Sequence, residues 1–355
     1  MAGQESLPRK ADPLNLAALH LCNISYATDI VRIPGLVLGT PPLFEGGIWT
    51  CLWGPVQSAD QANLAFVAGY SPQPGLPVQT ICVTIRGTDI DVHDIWGILA
   101  QVWEDIDGTS QTCLPWDGWS SSALIAQGTW DGLTSLMALT EQKVNLDTFL
   151  RRFLNTPAHS DVTTVVTGHS LGACLATVVA PWIESFRPSS YKGDIQPITF
   201  AGPTAGNAEF ATQYGRKFPK ARRFYNTLDI IPKALANLPE MLSIYSRGGL
   251  DAPELVWILL VGMSSVLLAK GVTYQQPAQG AQELTGQFYD KDTDWYAEAL
   301  HQHHPATYKA LLTGKPVDVS ALPKSITRLR TKPPLKNDIQ RFLNALAHAA
   351  EVKRS

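Results

Sequence analysis

Five consecutive residues, Gly168-His169-Ser170-Leu171-Gly172, hold the spacing best suited to chemistry in this 355-residue chain. They lie between a β-branched run, Val162-Thr163-Thr164-Val165-Val166-Thr167, and a small-residue helical pattern that begins Ala173-Cys174-Leu175-Ala176. The order is strand, sharp turn, helix, with a serine at the apex. Glycines two positions before and after the serine permit a strained turn that pushes its hydroxyl into the open. The helix that follows aims its first N–H groups at the place where negative charge would form. These features predict a nucleophilic serine at Ser170. A glycine-rich turn with a solvated serine would need neither the strand before it nor the helix after it.

A serine hydroxyl attacks only when a positioned base takes its proton, and the base must be oriented by an acid. In a strand–turn–helix elbow the chain order is serine, then Asp or Glu, then His. Asp229 directly follows the strand-like Arg222-Arg223-Phe224-Tyr225-Asn226-Thr227-Leu228 and precedes Ile230-Ile231-Pro232. A carboxylate just past the C-terminal edge of a strand stands where α/β enzymes collect functional side chains, although Asp is also an ordinary turn residue. Beyond Asp229 the His-rich stretch is His301-Gln302-His303-His304-Pro305, which supplies the candidate bases. A metal site there would need carboxylates or thiols at ligand spacing, and no convincing one is near. His169 reads as a packing residue, and His20, His93, His159 and His348 fall outside the expected order. An oxyanion hole needs two donors. The backbone N–H of Leu171 is one. The turn Ile85-Arg86-Gly87-Thr88 offers the other through Thr88, which is also suited to capping a following helix.

The elements that must position these groups are legible in outline. Leu14 to Tyr26 reads as an opening helix with Leu16, Leu19 and Ile24 near one face. Asn63–Tyr70 and Thr80–Ile85 read as neighbouring strands separated by Ser71-Pro72-Gln73-Pro74-Gly75. Val162–Thr167, Gln196–Phe200 and Arg222–Asn226 read as further strands, with helical patterns near 131–154 and 171–186. Strands alternating with helices predict an α/β fold with parallel central strands. Pro181 is expected to kink the second helix or end it early.

Composition narrows the function classes. Apolar residues make up 45% and charged residues 17%, enough for a large core, and a net charge of −3 argues against nucleic acid as a partner. Cys82 and Cys174 are expected as reduced core residues, with one disulfide left open among Cys22, Cys51 and Cys113. Residues 1–13 are polar and lack the apolar stretch of a secretory signal, so a soluble, cytoplasmic protein is the default expectation. In a secreted protein, reached if the natural chain is longer at its N-terminus, the sequon Asn23-Ile24-Ser25 would matter. The longest apolar run, Leu255 to Ala269, falls short of the ~20 residues of a membrane span.

At this point the chain resembles the class 3 lipases. The resemblance rests on Ile85-Arg86-Gly87-Thr88, on Gly168-His169-Ser170-Leu171-Gly172, and on Thr199-Phe200-Ala201-Gly202-Pro203 leading to Gly206-Asn207 and Phe210. Asn226-Thr227-Leu228-Asp229-Ile230-Ile231-Pro232 and the segment from His303 to Tyr308 complete it, over roughly residues 60–312. It implies an α/β-hydrolase fold, a mostly parallel central sheet flanked by helices, with a helical lid and a cap insertion in a single domain over 1–355. It implies Ser170 as nucleophile, Asp229 as acid, a histidine of the 303–304 pair as base, and Thr88 with Leu171 as oxyanion donors. Relatives place a tyrosine five residues after the catalytic histidine, which favours His303 through Tyr308 and leaves His304 as the alternative. One departure is visible: where relatives often carry His-Gly-Phe, this chain has Gln127-Gly128-Thr129.

Residues 89–107 have the position and pattern of a lid. Val92, Ile95, Trp96, Leu99, Val102 and Trp103 fall on one helical stripe, a pattern that an ordinary core helix also shows. Trp96, Leu99 and Trp103 are the expected substrate-facing residues, and Trp116, Trp119 and Trp130 are suited to extending the cover. The apolar segment within 250–272 is expected as a cap or acyl-pocket wall, or equally as a core helix. The basic segment 324–355 ends in an amphipathic helix with Ile339, Phe342, Leu343 and Leu346 at helical spacing, expected to dock on the domain. The expected activity is hydrolysis of acylglycerol esters through an acyl-enzyme, with no metal or organic cofactor. The expected partner is a lipid or ester substrate, met with transient contact at a lipid interface. Phospholipase A1, short-chain esterase, and a non-catalytic lipid-binding protein on a hydrolase fold are the alternatives. Six acidic residues and no Lys or Arg between Asp89 and Asp107 point to neutral or zwitterionic lipids over anionic ones.

Overall fold

The β-branched runs predicted as strands assemble one seven-stranded sheet. In the computed structural model, residues 12–59, 61–86, 109–290, 292 and 294–317 are described. The strands are β1 (Ile48–Gln57), β2 (Leu64–Ser71), β3 (Thr80–Arg86), β4 (Thr163–His169), β5 (Ile195–Phe200), β6 (Arg222–Asn226) and β7 (Ala281–Leu284), and they lie in that order across the sheet. β1, β2 and β3 run antiparallel, while every pairing from β3 to β7 is parallel. This is the α/β arrangement that the alternation of strands and helices predicts.

Alternate residues of the central strands feed two separate cores, as the two-residue period of a strand requires. Ile81, Val83 and Ile85 of β3 and Val166 of β4 pack on one face, with α2 (Gln127–Ala138), α3 (Leu146–Asn155) and α4 (Leu171–Ser185). Cys82 and Val165 point to the other face, against α1 (Pro13–Ile24). Covered on both sides, β3 is buried along its whole length. Parallel strands in that position read as continuous apolar runs rather than alternating ones.

The parallel register fixes where the chemistry falls. His169 pairs with Arg86 on one side and Phe200 on the other, and Phe200 pairs in turn with Phe224. The C-terminal ends of β3 to β6 therefore line up along one edge. Ser170, Ala201 and Leu228 all leave the sheet there, Ser170 N–H donating to Phe200 O (3.1 Å) and Ala201 N–H to Phe224 O (3.1 Å).

Several elements differ from the sequence expectation. The pattern over 131–154 is two helices, broken by a hairpin that pairs Thr140-Glu141 with Val144-Asn145. Gln142 and Lys143 both take positive φ in its two-residue turn, and the Asn145 side chain then caps Thr148 N at 2.8 Å to start α3. Leu133, Leu136, Leu139, Leu146 and Leu150 all enter one core, so the apolar pattern runs through a break that only the backbone reveals. Pro181 does not end α4, which continues to Ser185 with the proline buried. Strands β1 and β7, the two edges, have no counterpart in the sequence reading. β1 carries Gly54-Pro55, tolerated because an edge strand can spare a donor. β7 carries only four residues and no β-branched one. All five cysteines are free thiols, so the bridge left open among Cys22, Cys51 and Cys113 is absent. Cys22 is buried with its Sγ 3.2 Å from Thr167 Oγ1, whereas Cys113 is exposed.

After Asp229 the chain adds α6 (Leu238–Ser243) and α7 (Glu254–Lys270), then α8 (Trp295–His303) and α9 (Pro305–Thr313). α5 (Ala208–Lys217) precedes β6. The apolar run expected as cap or core is thus α7, a helix with one face in the core. No described helix is long and apolar enough to cross a membrane. Thr88, the proposed lid at 89–107 with Trp96, Leu99 and Trp103, and the segment 324–355 lie outside the described residues.

Candidate active site

Ser170 sits at the apex between β4 and α4 with φ 58° and ψ −130°, a conformation that costs a non-glycine residue of order 1–3 kcal/mol. The turn is tight because α4 doubles back over the strand. A Cβ placed on Gly168 would lie 2.2 Å from the carbonyl carbon and oxygen of Gly172, so any side chain there would force the helix off the strand. The glycine spacing is therefore steric. Leu171 is the first residue of α4 and directly follows the serine, so its N–H precedes the helical ladder, which opens with Ala173 N–H (2.9 Å) and Cys174 N–H (3.3 Å) donating to Ser170 O.

Asp229 follows β6 and is fully buried. Its carboxylate is held from three sides. Oδ1 accepts from Ile231 N–H at 2.9 Å, Oδ2 accepts from the Tyr308 hydroxyl at 2.7 Å, and His303 Nδ1 lies 2.9 Å from Oδ2 and 3.1 Å from Oδ1. Tyr308 in turn accepts from Asn226 N–H at 3.1 Å. Burial, then the Asp229 charge, holds the Tyr308 phenol well above its usual range, so it stays a donor.

His303 is the last residue of α8, a helix started by Asp294, whose side chain accepts from Ala297 N–H at 2.9 Å. His303 Nε2 lies 2.9 Å from Ser170 Oγ. The adjacent His304 has a different task. It is extended (φ −67°, ψ 140°), precedes Pro305, and its Nδ1 accepts from Ala306 N–H at 3.1 Å to cap α9. Of the two histidines left open by the sequence, His303 alone faces the serine.

His169, expected only to pack, also contacts His303. Its Nε2 lies 2.9 Å from the carbonyl oxygen of His303, and its ring centroid is 4.7 Å from that of His303. Burial first, and then the nearby His303, holds its imidazole well below the usual histidine range. A neutral ring that meets a carbonyl must carry its proton on Nε2, so His169 donates to the backbone of His303. The Tyr26 hydroxyl donates to His169 O at 3.1 Å and ties α1 to the same point.

A second group of residues has no strong sequence signal. Asn226 Nδ2 donates to Gln302 Oε1 (2.6 Å) and to Gln302 O (3.0 Å), joining the end of β6 to α8. Gln302 Nε2 donates to Glu298 Oε1 and to Gln287 O, each at 2.7 Å. Burial raises the pKa of the Glu298 carboxyl. The four-residue spacing of Glu298 and Gln302 on one helix face was the available clue. Gln127 turns outward to Asp131 (2.9 Å), and buried Thr129 places its Oγ1 3.5 Å from Cys174 Sγ. The departure at Gln127-Gly128-Thr129 is thus absorbed in the packing of α2 on α4.

Burial also sets an acid limit. The His301 imidazole is pushed down to about 4 from 6.5 by burial, and Asp292 Oδ2, 3.7 Å from its Nδ1, is too distant to hydrogen-bond. An unfolded chain protonates this ring near its ordinary pKa and the folded one only near the depressed value. Stability carried by the neutral ring is therefore present above the ordinary pKa and lost as pH falls toward the depressed one, by up to about 3 kcal/mol. Unfolding midpoints measured across that range are expected to fall with pH, and His301→Gln is expected to flatten the slope. An unchanged slope in the variant would assign the loss to other buried groups, His169 first.

Parts of the chain are similar to known proteins. The family model described as lipase (class 3) matches residues 82–238, from β3 through the elbow and Asp229 to the start of α6. That match covers 157 of the 355 residues, so this part of the chain is similar to the class 3 lipases. Phospholipase A1-Igamma2, a chloroplastic protein of Arabidopsis thaliana, is 38% identical over 79 residues, 21% of this chain and 15% of that protein. Lipase ZK262.3 of Caenorhabditis elegans is 39% identical over 69 residues, 19% of each chain. The chain thus spans less than a fifth of the length of these curated relatives. The crystal structure of M37 lipase superposes with a TM-score of 0.71 at 22% identity, covering 95% of this chain and all of that one. The chain shares the α/β-hydrolase fold of that structure.

Proposed function

We propose that this protein is a member of the class 3 lipase family, a serine ester hydrolase acting on acylglycerol esters. The observation that carries the proposal is the unbroken line from Ser170 Oγ to His303 Nε2 (2.9 Å) and from His303 Nδ1 to Asp229 Oδ2 (2.9 Å). Ser170 attacks the ester carbonyl as His303 takes its proton. The imidazolium returns that proton to the leaving alcohol, and water then releases the acid from the acyl-enzyme by the same route in reverse. Asp229 holds Nδ1 protonated, so that Nε2 is bare and faces the serine. Leu171 N–H, joined by Thr88, stabilises the tetrahedral oxyanion. The strained serine and the tightly bonded acid support this reading, because a solvated turn would keep neither.

A phospholipase A1 reading is supported by the Arabidopsis relative, whose matched stretch is 38% identical. The two readings share the mechanism and differ in the headgroup. Residues 89–107, with six acids and no Lys or Arg, favour uncharged or zwitterionic lipid in either case. The test combines labelling with turnover. A fluorophosphonate is expected to label Ser170 alone, and emulsified triacylglycerols are expected to be hydrolysed faster than phosphatidylcholine or phosphatidylglycerol vesicles. Faster release from phosphatidylcholine would select the phospholipase reading. Absence of both labelling and turnover would make the protein a non-catalytic lipid binder.

A further inference from the structure

Helix α7 exposes apolar side chains that the fold does not need. From Leu255 to Ala269 it carries no ionisable residue, with Glu254 and Lys270 closing the two ends. Val256, Leu259, Leu260, Met263 and Leu267 are buried, which accounts for one face. The remaining surface exposes Trp257 (53%), Ile258 (46%) and Leu268 (83%), with Trp257 and Leu268 on one line along the helix and Ile258 about a quarter turn round from them. Beside that stripe Leu238 and Leu242 of α6 line an apolar groove with Val261 and Leu268.

The placement of the stripe relates it to the site. The segment following α7 is tied to the sheet edge that carries Ser170 and Asp229, since Gln276 Nε2 donates to Gly202 O (3.0 Å) and Pro232 O (2.9 Å). Tyr245, which precedes the helix, donates to Leu228 O at 2.7 Å. We infer that α7 is a docking surface for an uncharged or zwitterionic lipid assembly, lying in the lipid surface beside the active site. The inference rests on the lipase reading for its biological sense but not for its measurement.

Three considerations select lipid over other occupants. The stripe has no charge to offer an anionic surface or a charged protein. An exposed face about 25 Å long and about 10 Å wide gives a strip of about 250 Å², well under the ~800 Å² per partner of a stable protein interface. A fluid lipid surface covers a narrow convex strip without that requirement. A 17-residue helix is also shorter than the ~30 Å of a bilayer core, and its other face is occupied by the protein. α7 therefore lies on lipid rather than spanning it, with Trp257 at the level of the headgroups.

Flotation of the full chain with phosphatidylcholine vesicles tests this in a Ser170→Ala background, where binding is read without hydrolysis. Trp257→Ser with Ile258→Ser and Leu268→Ser is expected to lower vesicle partition at least about tenfold at low and high salt alike. The unfolding midpoint is expected to stay unchanged because the three side chains are exposed. With Ser170 restored, the same substitutions are expected to spare hydrolysis of a dissolved short-chain p-nitrophenyl ester and to slow hydrolysis of vesicle lipid. Undiminished partition overturns the inference. So does a change of oligomeric state at constant partition, which would make the face an interface with a second copy. If partition depends on α7 while the unsubstituted protein hydrolyses no ester, the docking surface stands and the lipase reading falls.

Discussion

Ser170→Ala is expected to lower kcat by about 10⁶-fold while the protein stays folded, the loss seen when a triad nucleophile is removed and only oxyanion and binding effects survive. The Ser170 hydroxyl meets His303 Nε2 at 2.9 Å, and its removal leaves the bonds between His303, Asp229 and Tyr308 in place. Relief of the positive φ is not expected, because alanine is as strained there as serine. His303→Ala should cost as much, since nucleophile and base act as a unit and their losses do not add. The double variant is then expected to be no slower than either single one. His304→Ala gives the contrast. It removes the cap on Ala306 N–H, a loss of about 1 kcal/mol of stability, and should leave most of the activity. Measured kcat and KM on a dissolved ester, with fluorophosphonate labelling as a check, separate these cases. Near-normal kcat in folded Ser170→Ala would remove the serine mechanism. Loss of activity with His304→Ala and not with His303→Ala would move the base by one residue.

The parts of this site that were legible in the sequence are those encoded locally. The elbow needs glycine where α4 crosses β4, and a Cβ at Gly168 would meet the Gly172 backbone, so sequence and geometry carry the same information there. Asp229 was legible because it terminates a strand whose ends all meet at one edge. The choice between His303 and His304 was legible only through the family resemblance to Tyr308. Chain chemistry held a second clue in Pro305: a residue before proline is driven out of the helical region, which makes His304 the cap and His303 the last helical residue.

The rest depends on contacts between segments far apart in the chain. His169 and His303 are separated by 134 residues, and no local pattern distinguishes a packing histidine from one that donates to the carbonyl of a distant histidine. Asn226 and Gln302 are 76 residues apart and joined only once β6 and α8 are placed side by side. The hairpin inside 131–154 was hidden because leucines on both sides of it reach one core. Edge strands β1 and β7 were missed for the opposite reason, since half-exposed strands with proline or few β-branched residues carry a weak signal.

Asp229→Asn should lower kcat by about 10⁴-fold with little change in KM, and the reason lies in which nitrogen of His303 carries the proton. The carboxylate is an acceptor at both oxygens and receives Ile231 N–H, the Tyr308 hydroxyl and His303 Nδ1. An asparagine amide has one oxygen and one NH₂, so it cannot satisfy all three donors at once. If its NH₂ turns toward His303, Nδ1 must become the acceptor and the proton moves to Nε2, the nitrogen that has to be bare to take the proton of Ser170. If its NH₂ takes the place of Oδ1 instead, it meets Ile231 N–H donor to donor and leaves that buried group without an acceptor. Either choice also removes the negative charge that stabilises the imidazolium formed during attack. Tyr308→Phe tests the support of the acid separately. It deletes one donor to Asp229 and leaves Asn226 N–H without its partner in a buried place, so stability should drop by about 1–3 kcal/mol. Because His303 keeps its carboxylate partner in that variant, kcat should fall far less than in Asp229→Asn. The two substitutions thus separate holding the base from holding the acid. Equal losses of kcat in both would mean that Tyr308, rather than the charge of Asp229, fixes the productive geometry of His303.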